Sequence, residues 1–77
     1  MAAKEFNGHR SWNAWNVSLW INNDEPLYRR AVELVTKYGR GRASRIMAGE
    51  LQGEKTPDGG RYNQTCIWEA MDGIADV

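Results

Sequence analysis

Apolar residues recur at helical spacing in four segments of the chain, which polar or glycine-containing stretches separate. The clearest segment repeats apolar positions at i, i+4, i+7, i+8 and i+11, namely Leu27, Ala31, Leu34, Val35 and Tyr38. This spacing predicts an amphipathic helix over residues 24–38. Asn23 or Asp24 can cap its start, Pro26 is tolerated in the first turn, and Gly39 can end it.

The first segment, residues 12–22, contains three of the four tryptophans. Read as a helix after a Ser11 cap, it places Trp12, Trp15 and Leu19 on one face. Val17 and Ile21 fall on a second face, with Trp20 between the two. We expect Trp12 and Trp15 to enter the core and Trp20 to have the weaker claim to it. Alternation of apolar and polar residues also fits a strand, but no convincing second strand exists to pair with it.

Two further helices are predicted after a short Arg40-Gly41-Arg42 connection. Residues 42–52 form the third, and residues 64–75 form the fourth, which Asn63 or Thr65 can cap. Their apolar positions are Ala43, Ile46, Met47 and Leu51, then Ile67, Ala70, Met71 and Ile74, with Trp68 to one side. Between them, residues 53–62 predict a loop with a tight turn at Pro57-Asp58-Gly59. Gly73 weakens the last helix.

The expected fold is therefore a small all-α bundle of about four short helices. Residues 1–77 form one helical domain, in which residues 1–10 are a loosely ordered lead-in. A hydrophobic content of 42% and a charged content of 26% are ordinary for a globular protein. A chain this short buries only about 60% of the surface that its unfolded form exposes, so its stability margin is thin.

Charge is distributed unevenly, although the net charge is zero. Residues 29–45 carry six basic residues against Glu33 alone, for a net charge of +5, whereas residues 46–77 carry −4. The middle of the chain can thus form a basic face and the end an acidic one. No stretch has the length of a membrane span, and there is no apolar run of signal-peptide type. With Cys66 as the sole cysteine, a reducing cytoplasm is the expected compartment.

The sequence contains no group of residues with the pattern of a catalytic site or a metal site. His9 is the only histidine and has no evident partners for a triad or a metal site. Cys66 has no neighbouring Lys or His in the sequence that would make its thiol reactive. Asp24 and Glu25 are explained by the start of a helix. We therefore expect no catalytic residues, no metal and no cofactor.

The basic segment has three readings: a solvated face, a docking surface for an acidic protein patch, or a phosphate contact. Gly39 and Gly41 would let the backbone approach a phosphate, but the spacing and preceding strand of a phosphate-binding loop are absent. Asn13 and Asn16 can hydrogen-bond a neighbouring loop or read a ligand. If Asn16 is enclosed, we expect it to bond main-chain groups, since buried amides need partners.

The segment Trp15-Asn16-Val17-Ser18-Leu19-Trp20, followed by Asn23-Asp24-Glu25 and Leu27-Tyr28, resembles a known family. Its members are small uncharacterised proteins of bacteriophages and other mobile elements with an N-terminal tWNvxLWxxNDexlY motif. The Thr56-Pro57-Asp58-Gly59 turn resembles a later feature of the same proteins. Pro26 stands where many relatives have glycine or another small residue. The family offers no catalytic residues to carry over, and it implies a phage or mobile-element setting. Small proteins of that origin often inhibit host defences by binding.

The expected function is that of a non-enzymatic protein that binds and inhibits a host protein, such as an anti-CRISPR or other anti-defence inhibitor. Its compartment would be the cytoplasm of the bacterial host, with no membrane association. The alternative is a small nucleic-acid-binding protein that uses residues 29–45, and a homodimer is a further option. The expected partner-binding residues are Arg29, Arg30, Arg40, Arg42, Arg45 and Trp20.

Overall fold

Five helices make up the described part of the protein, which is residues 11–75 of a computed structural model. They are α1 (Trp12–Asn23), α2 (Glu25–Tyr38), α3 (Arg40–Glu50), α4 (Gln64–Ala70) and α5 (Asp72–Ala75). The predicted all-α fold is confirmed, and the strand reading of residues 12–22 is wrong. Over residues 11–75 the only β feature is an isolated antiparallel bridge between Lys55 and Arg61. The lead-in 1–10, including His9, lies outside the described residues.

Side chains cap three of the helices where the sequence places capping residues. The Ser11 hydroxyl accepts from the Ala14 N–H at 3.0 Å, and the Asp24 carboxylate accepts from the Leu27 N–H at 3.2 Å. At the start of α4, the Asn63 side chain accepts from the Cys66 N–H at 2.9 Å. Each cap satisfies a backbone donor that has no partner within its own helix. Asp24 and Asn63 thereby settle the two alternatives that the sequence left open.

The boundaries of the last helices differ from the predicted ones. Helix α3 starts at Arg40, directly after Gly39, so Arg40-Gly41-Arg42 is its first turn and not a connection. Gly39 has a φ of 86°, which lets one residue both end α2 and precede α3. The predicted helix 64–75 is divided at Met71 into α4 and α5. The division lies two residues before Gly73, which has a low helix propensity.

The core consists of aliphatic, alanine and sulfur-containing side chains from all five helices. Helix α1 packs mainly against α4, α2 against α3, and α3 also against α4. The buried apolar residues are Ala14, Val17, Ile21, Ala31, Leu34, Ala43, Met47, Cys66, Ile67, Ala70, Met71 and Ile74. Within residues 11–75 no aromatic residue is fully buried. Non-aromatic side chains therefore fill the core, and Tyr62 packs against it from a partly buried position.

The buried face of α1 is not the tryptophan face that the sequence predicts. Trp12 is 40% exposed, Trp15 and Leu19 are half-buried, and the face that includes Val17 and Ile21 is fully enclosed. Ala14 is also buried and belongs to this enclosed face. The expectation that Trp12 is a core residue is therefore wrong, and Trp15 is only half-buried.

Tyr38 also departs from the apolar pattern of its helix. Ala31 and Leu34 are buried, Leu27 and Val35 are partly buried, and Tyr38 at the end of α2 is 41% exposed. The last turn of α2 thus projects beyond the core. None of the helices in the described part of the chain is both long and apolar enough to cross a membrane.

Candidate partner-binding surface

The corner between α2 and α3 brings basic and aromatic side chains together at one end of the molecule. Helices α2 and α3 pack in an antiparallel orientation, since Arg30 in the first half of α2 pairs with Glu50 at the C-terminal end of α3. Gly39 has no side chain to cap α3, and within residues 11–75 no side-chain hydrogen bond caps the start of this helix. The positive end of the α3 dipole therefore adds to the positive charge of this corner.

Arg40 lies flat against Trp68 of α4 at this corner. Its guanidinium carbon is 3.6 Å from the centre of the indole ring, which is a close cation–π contact. Arg40 Nε donates to the Trp68 carbonyl oxygen at 2.8 Å, and Nη1 lies 3.2 Å from the Asp72 carboxylate. Three contacts fix the guanidinium, while Trp68 stays 45% exposed.

Tyr38 lies close to two further basic side chains. Lys37 Nζ is 5.7 Å from the centre of the Tyr38 ring, and the guanidinium carbon of Arg42 is 6.0 Å from it. These distances are at the outer limit of a cation–π contact, so each attraction is modest. Both basic side chains nevertheless stay near the ring and leave part of it open to solvent.

Arg45 extends the same surface by one turn of α3. It lies three residues after Arg42, so the two side chains are neighbours on the helix, and both are exposed. Among residues 11–75 no carboxylate forms a salt bridge with Lys37, Arg42 or Arg45. We call this group the corner surface: Lys37, Tyr38, Arg40, Arg42, Arg45 and Trp68.

Arg29 and Arg30 lie apart from the corner surface, in the first half of α2. Arg29 pairs with Glu25 one turn earlier, and Arg30 contacts both Glu33 and Glu50. The hydrogen bond from Arg30 lowers the pKa of the Glu50 carboxyl. The structure therefore places three of the predicted arginines, Arg40, Arg42 and Arg45, in the first half of α3. It holds Arg29 and Arg30 next to acidic partners in α2. Their role in partner binding stays a prediction.

Trp20 belongs to a second cluster, which ties α1 to the loop before α4. Its indole N–H donates to Asp58 Oδ2 at 2.9 Å, and the Asn16 amide donates to the same oxygen at 2.9 Å. These two donors lower the pKa of the Asp58 carboxyl, the Asn16 bond having the larger effect. Whether Trp20 also contacts a partner stays a prediction.

Thr56 completes this cluster beneath the tight turn. Its hydroxyl donates to Asn16 Oδ1 and accepts from the Gly60 N–H at 2.7 Å. A Cβ atom on Gly60 would lie 2.7 Å from Asn16 Oδ1, so only glycine fits without a shift. We call this group the loop network: Asn16, Trp20, Thr56, Asp58 and Gly60.

The two asparagines of the tryptophan segment both bond the loop, as one of the two readings predicts. Asn13 donates to the Arg61 carbonyl at 2.9 Å and accepts from the Arg61 N–H at 2.7 Å. Asn16 is fully buried, but its partners are the side chains of Thr56 and Asp58. The expectation that Asn16 bonds main-chain groups is therefore wrong, because this turn presents side chains to it.

The corner surface contains three residues that the predicted partner-binding set leaves out, namely Lys37, Tyr38 and Trp68. Tyr38 fits the apolar period of α2, so its spacing points to the core. Trp68 lies beside the apolar face of the last helix, and an exposed Trp68 next to an arginine is a hot-spot candidate. What the sequence does not indicate is that Arg40, which is 28 positions away, lies on Trp68.

The potential metal ligands within residues 11–75 do not cluster, and the thiol of Cys66 is buried. Within residues 11–75 no group of three or more His, Cys, Asp or Glu side chains could hold a metal ion. Cys66 is buried, and its sulfur accepts from the Asn13 amide at 3.2 Å. Its side chain therefore serves the contact between α1 and α4.

Sequence comparison with known proteins identifies a matching protein family. No curated protein and no solved structure matches it significantly. One family of unknown function, DUF7249, matches residues 2–76. Because this match covers nearly the whole chain, the protein belongs to the DUF7249 family.

Proposed function

We propose that this protein is a non-enzymatic binding protein that acts by occupying a surface of another protein. The observation that carries the proposal is the corner surface, where Trp68 and Tyr38 are 45% and 41% exposed and each lies beside an arginine. Trp, Tyr and Arg are the residue types that contribute most to protein interfaces. A partner would gain free energy by enclosing the two half-exposed rings.

The restricted position of the Arg40 side chain in the corner surface also favours binding. Arg40 is held by the Trp68 ring, the Trp68 carbonyl and Asp72, so little of its freedom remains to be lost on association. The acidic residues that could suggest catalysis have structural partners instead. Asp24 caps α2, and Asp58 accepts from Asn16 and Trp20.

The biological setting in this proposal comes from the resemblance to phage and mobile-element proteins. In that setting the partner is a host protein in the bacterial cytoplasm, and the consequence of binding is inhibition. A CRISPR or other defence complex is the specific target we propose. The residues assigned to the contact are Arg40, Arg42, Arg45, Tyr38 and Trp68, with Arg29, Arg30 and Trp20 as secondary positions.

Nucleic acid is the alternative partner, and the pairing of the basic residues argues against it. Arg29, Arg30 and Arg40 each contact a carboxylate, so half of the basic segment is already neutralised. A nucleic-acid groove requires several free cations that follow the phosphates. A gel shift at low salt decides between the two: retardation of DNA or RNA would favour the alternative.

The proposal is tested by capture of host proteins on the tagged full chain, followed by quantitative mass spectrometry. The test variant is R42E/R45E, which reverses two charges without breaking a described salt bridge. The matched control is K55E/R61E, which reverses two charges on the exposed loop. We expect the control to retain the captured partner and the test variant to lose it, since charge reversal opposes an acidic partner surface.

Far-UV circular dichroism of both variants checks that each still folds. Equal capture by R42E/R45E and the unaltered protein would remove the corner surface from the contact. A host strain in which the captured protein is deleted then tests the biological consequence. If defence activity is the same with and without the protein in the parent strain, the inhibitor function is wrong.

A further inference from the structure

The corner surface has a chemical character that narrows the class of partner. This inference rests on the proposed function, because it concerns what the same surface binds. Lys37 and Arg42 both lie within 6.0 Å of the centre of the Tyr38 ring. One segment of a partner that rests on the ring can therefore reach both cations at once.

The basic side chains of the corner surface differ in whether they already have partners within the described residues. Arg40 is engaged by Trp68 and Asp72, whereas Lys37, Arg42 and Arg45 form no salt bridge within the described residues. Arg40 thus supports the Trp68 ring, and the other three supply positive charge. A fitting occupant brings negative charge near Tyr38 and apolar or neutral groups near Trp68.

Acidic side chains of this protein limit how the negative charge can be arranged. Asp72 pairs with Arg40 beside Trp68, and 70% of the Asp72 side chain is exposed. A phosphate backbone repeats its charge at every nucleotide, so a strand that stacks on Trp68 would meet Asp72 at short range. A peptide can instead place carboxylates at chosen positions and neutral residues elsewhere.

We propose that the corner surface binds an acidic segment of a partner protein, with carboxylates that contact Lys37 and Arg42 beside the Tyr38 ring and Arg45 one turn further along α3. Arginine forms two parallel hydrogen bonds with a carboxylate, which gives such a contact a defined geometry. The Trp68 ring, supported by Arg40, contacts the less charged end of the segment. Binding weakens with added salt, because these charges are exposed.

The test is titration of the full isotope-labelled chain with defined probes, followed by NMR. The probes are a synthetic decapeptide of alternating glutamate and serine, the same peptide with glutamine in place of glutamate, and a ten-unit oligothymidylate. We expect the glutamate peptide to shift the amide signals of Tyr38, Arg42 and Arg45, and the glutamine peptide to leave them unchanged. R42E/R45E should weaken the peptide affinity about tenfold or more, and K55E/R61E should preserve it.

Three outcomes overturn the inference. They are no shift at the corner surface with the glutamate peptide, equal affinity of R42E/R45E and K55E/R61E, and tighter binding of the oligothymidylate than of the glutamate peptide. The peptide titration and the capture experiment fail separately. Loss of the captured partner in R42E/R45E without peptide binding leaves the proposed function standing and removes the acidic segment. Peptide binding with unchanged capture supports the acidic site and removes this surface from the host-protein contact.

Discussion

Asn16 shows how one polar residue can lie inside a small apolar core. It is fully buried, yet its amide group has a partner on each side: Thr56 donates to its oxygen and Asp58 accepts from its nitrogen. Burial of an unpaired amide would cost more than a hydrogen bond returns. No buried side-chain nitrogen or oxygen among the described residues lacks a partner. Asn16 is therefore tolerated because the loop is folded against it.

The Thr56 hydroxyl is the residue-scale test of this network. We expect T56V to lower the free energy of unfolding by about 1–3 kcal/mol, since it leaves Asn16 Oδ1 and the Gly60 N–H unpaired. T56S keeps the hydroxyl and is the matched control, with a smaller loss. Urea unfolding followed by circular dichroism measures both. If T56V and T56S are equally stable, the hydroxyl has no such role.

Helix α1 has three faces with different surroundings, and its tryptophan face is the least buried. Ala14, Val17 and Ile21 contact the core, while Asn13, Asn16 and Trp20 bond the loop. The remaining face contains Trp12, Trp15 and Leu19, which stay partly exposed. Two sets of specific contacts therefore fix the rotation of the helix, and the size of the rings does not.

Two isomeric side chains on α1 test this rotation. Ile21 is fully buried and Leu19 is half-buried, so truncation to alanine removes three carbon atoms in each case, but from different surroundings. We expect I21A to cost about 2–5 kcal/mol of unfolding free energy, as for other buried large-to-small changes, and L19A to cost clearly less. Thermal or urea denaturation ranks the two. The opposite order would mean that the Trp12 face is the buried one.

At the scale of the whole molecule, the uneven charge of the sequence is largely rearranged into local pairs. Arg30 joins α2 to the end of α3 through Glu50, and Arg40 joins α3 to α5 through Asp72. Exposed ion pairs contribute little to stability individually, so their main effect here is on the shape of the surface potential. Among the described basic residues without a salt bridge, Lys37, Arg42 and Arg45 lie at the corner surface, whereas Lys55 and Arg61 lie on the loop before α4.

Stability should fall in acid because of carboxylates with lowered pKa values. The Asn16 and Trp20 bonds lower the pKa of Asp58, and the Arg30 bond lowers that of Glu50. Their contribution is present above the unfolded-state values of about 4 and is lost as the pH falls through the lower folded-state values. We expect the urea midpoint to decrease between pH 6 and pH 3, as estimated from those unfolded-state values.

D58N and E54Q are the matched variants for this acid dependence, since each removes one negative charge from the same loop. Among the described residues, the Glu54 side chain accepts no hydrogen bond, whereas Asp58 accepts two. The decrease in the urea midpoint should therefore be smaller in D58N than in E54Q. An identical pH profile for the two variants would show that Asp58 does not contribute through its ionisation.

The sequence by itself determined the approximate positions of the helices in this fold. It indicates helix starts at Ser11, at Asn23 or Asp24, and at Asn63 or Thr65, because a short polar side chain can reach the next free backbone donors. The spacing of α2 and the turn at Pro57-Asp58-Gly59 are equally local properties. Such features depend on neighbours a few positions away, so they are visible in the sequence. The basic segment and the family resemblance are visible in the same way.

Only the tertiary structure decided which helix faces are buried and which basic side chains have no partner within the described part of the protein. Asn16 meets Thr56 and Asp58 across 40 and 42 positions of sequence, and this contact selects the buried face of α1. Arg40 meets Trp68 across 28 positions, which assigns that arginine to support an aromatic ring. Hydrophobic spacing identifies a helix but not its rotation when more than one face is apolar. That choice depends on how well distant side chains satisfy each other's volume, charge and hydrogen bonds.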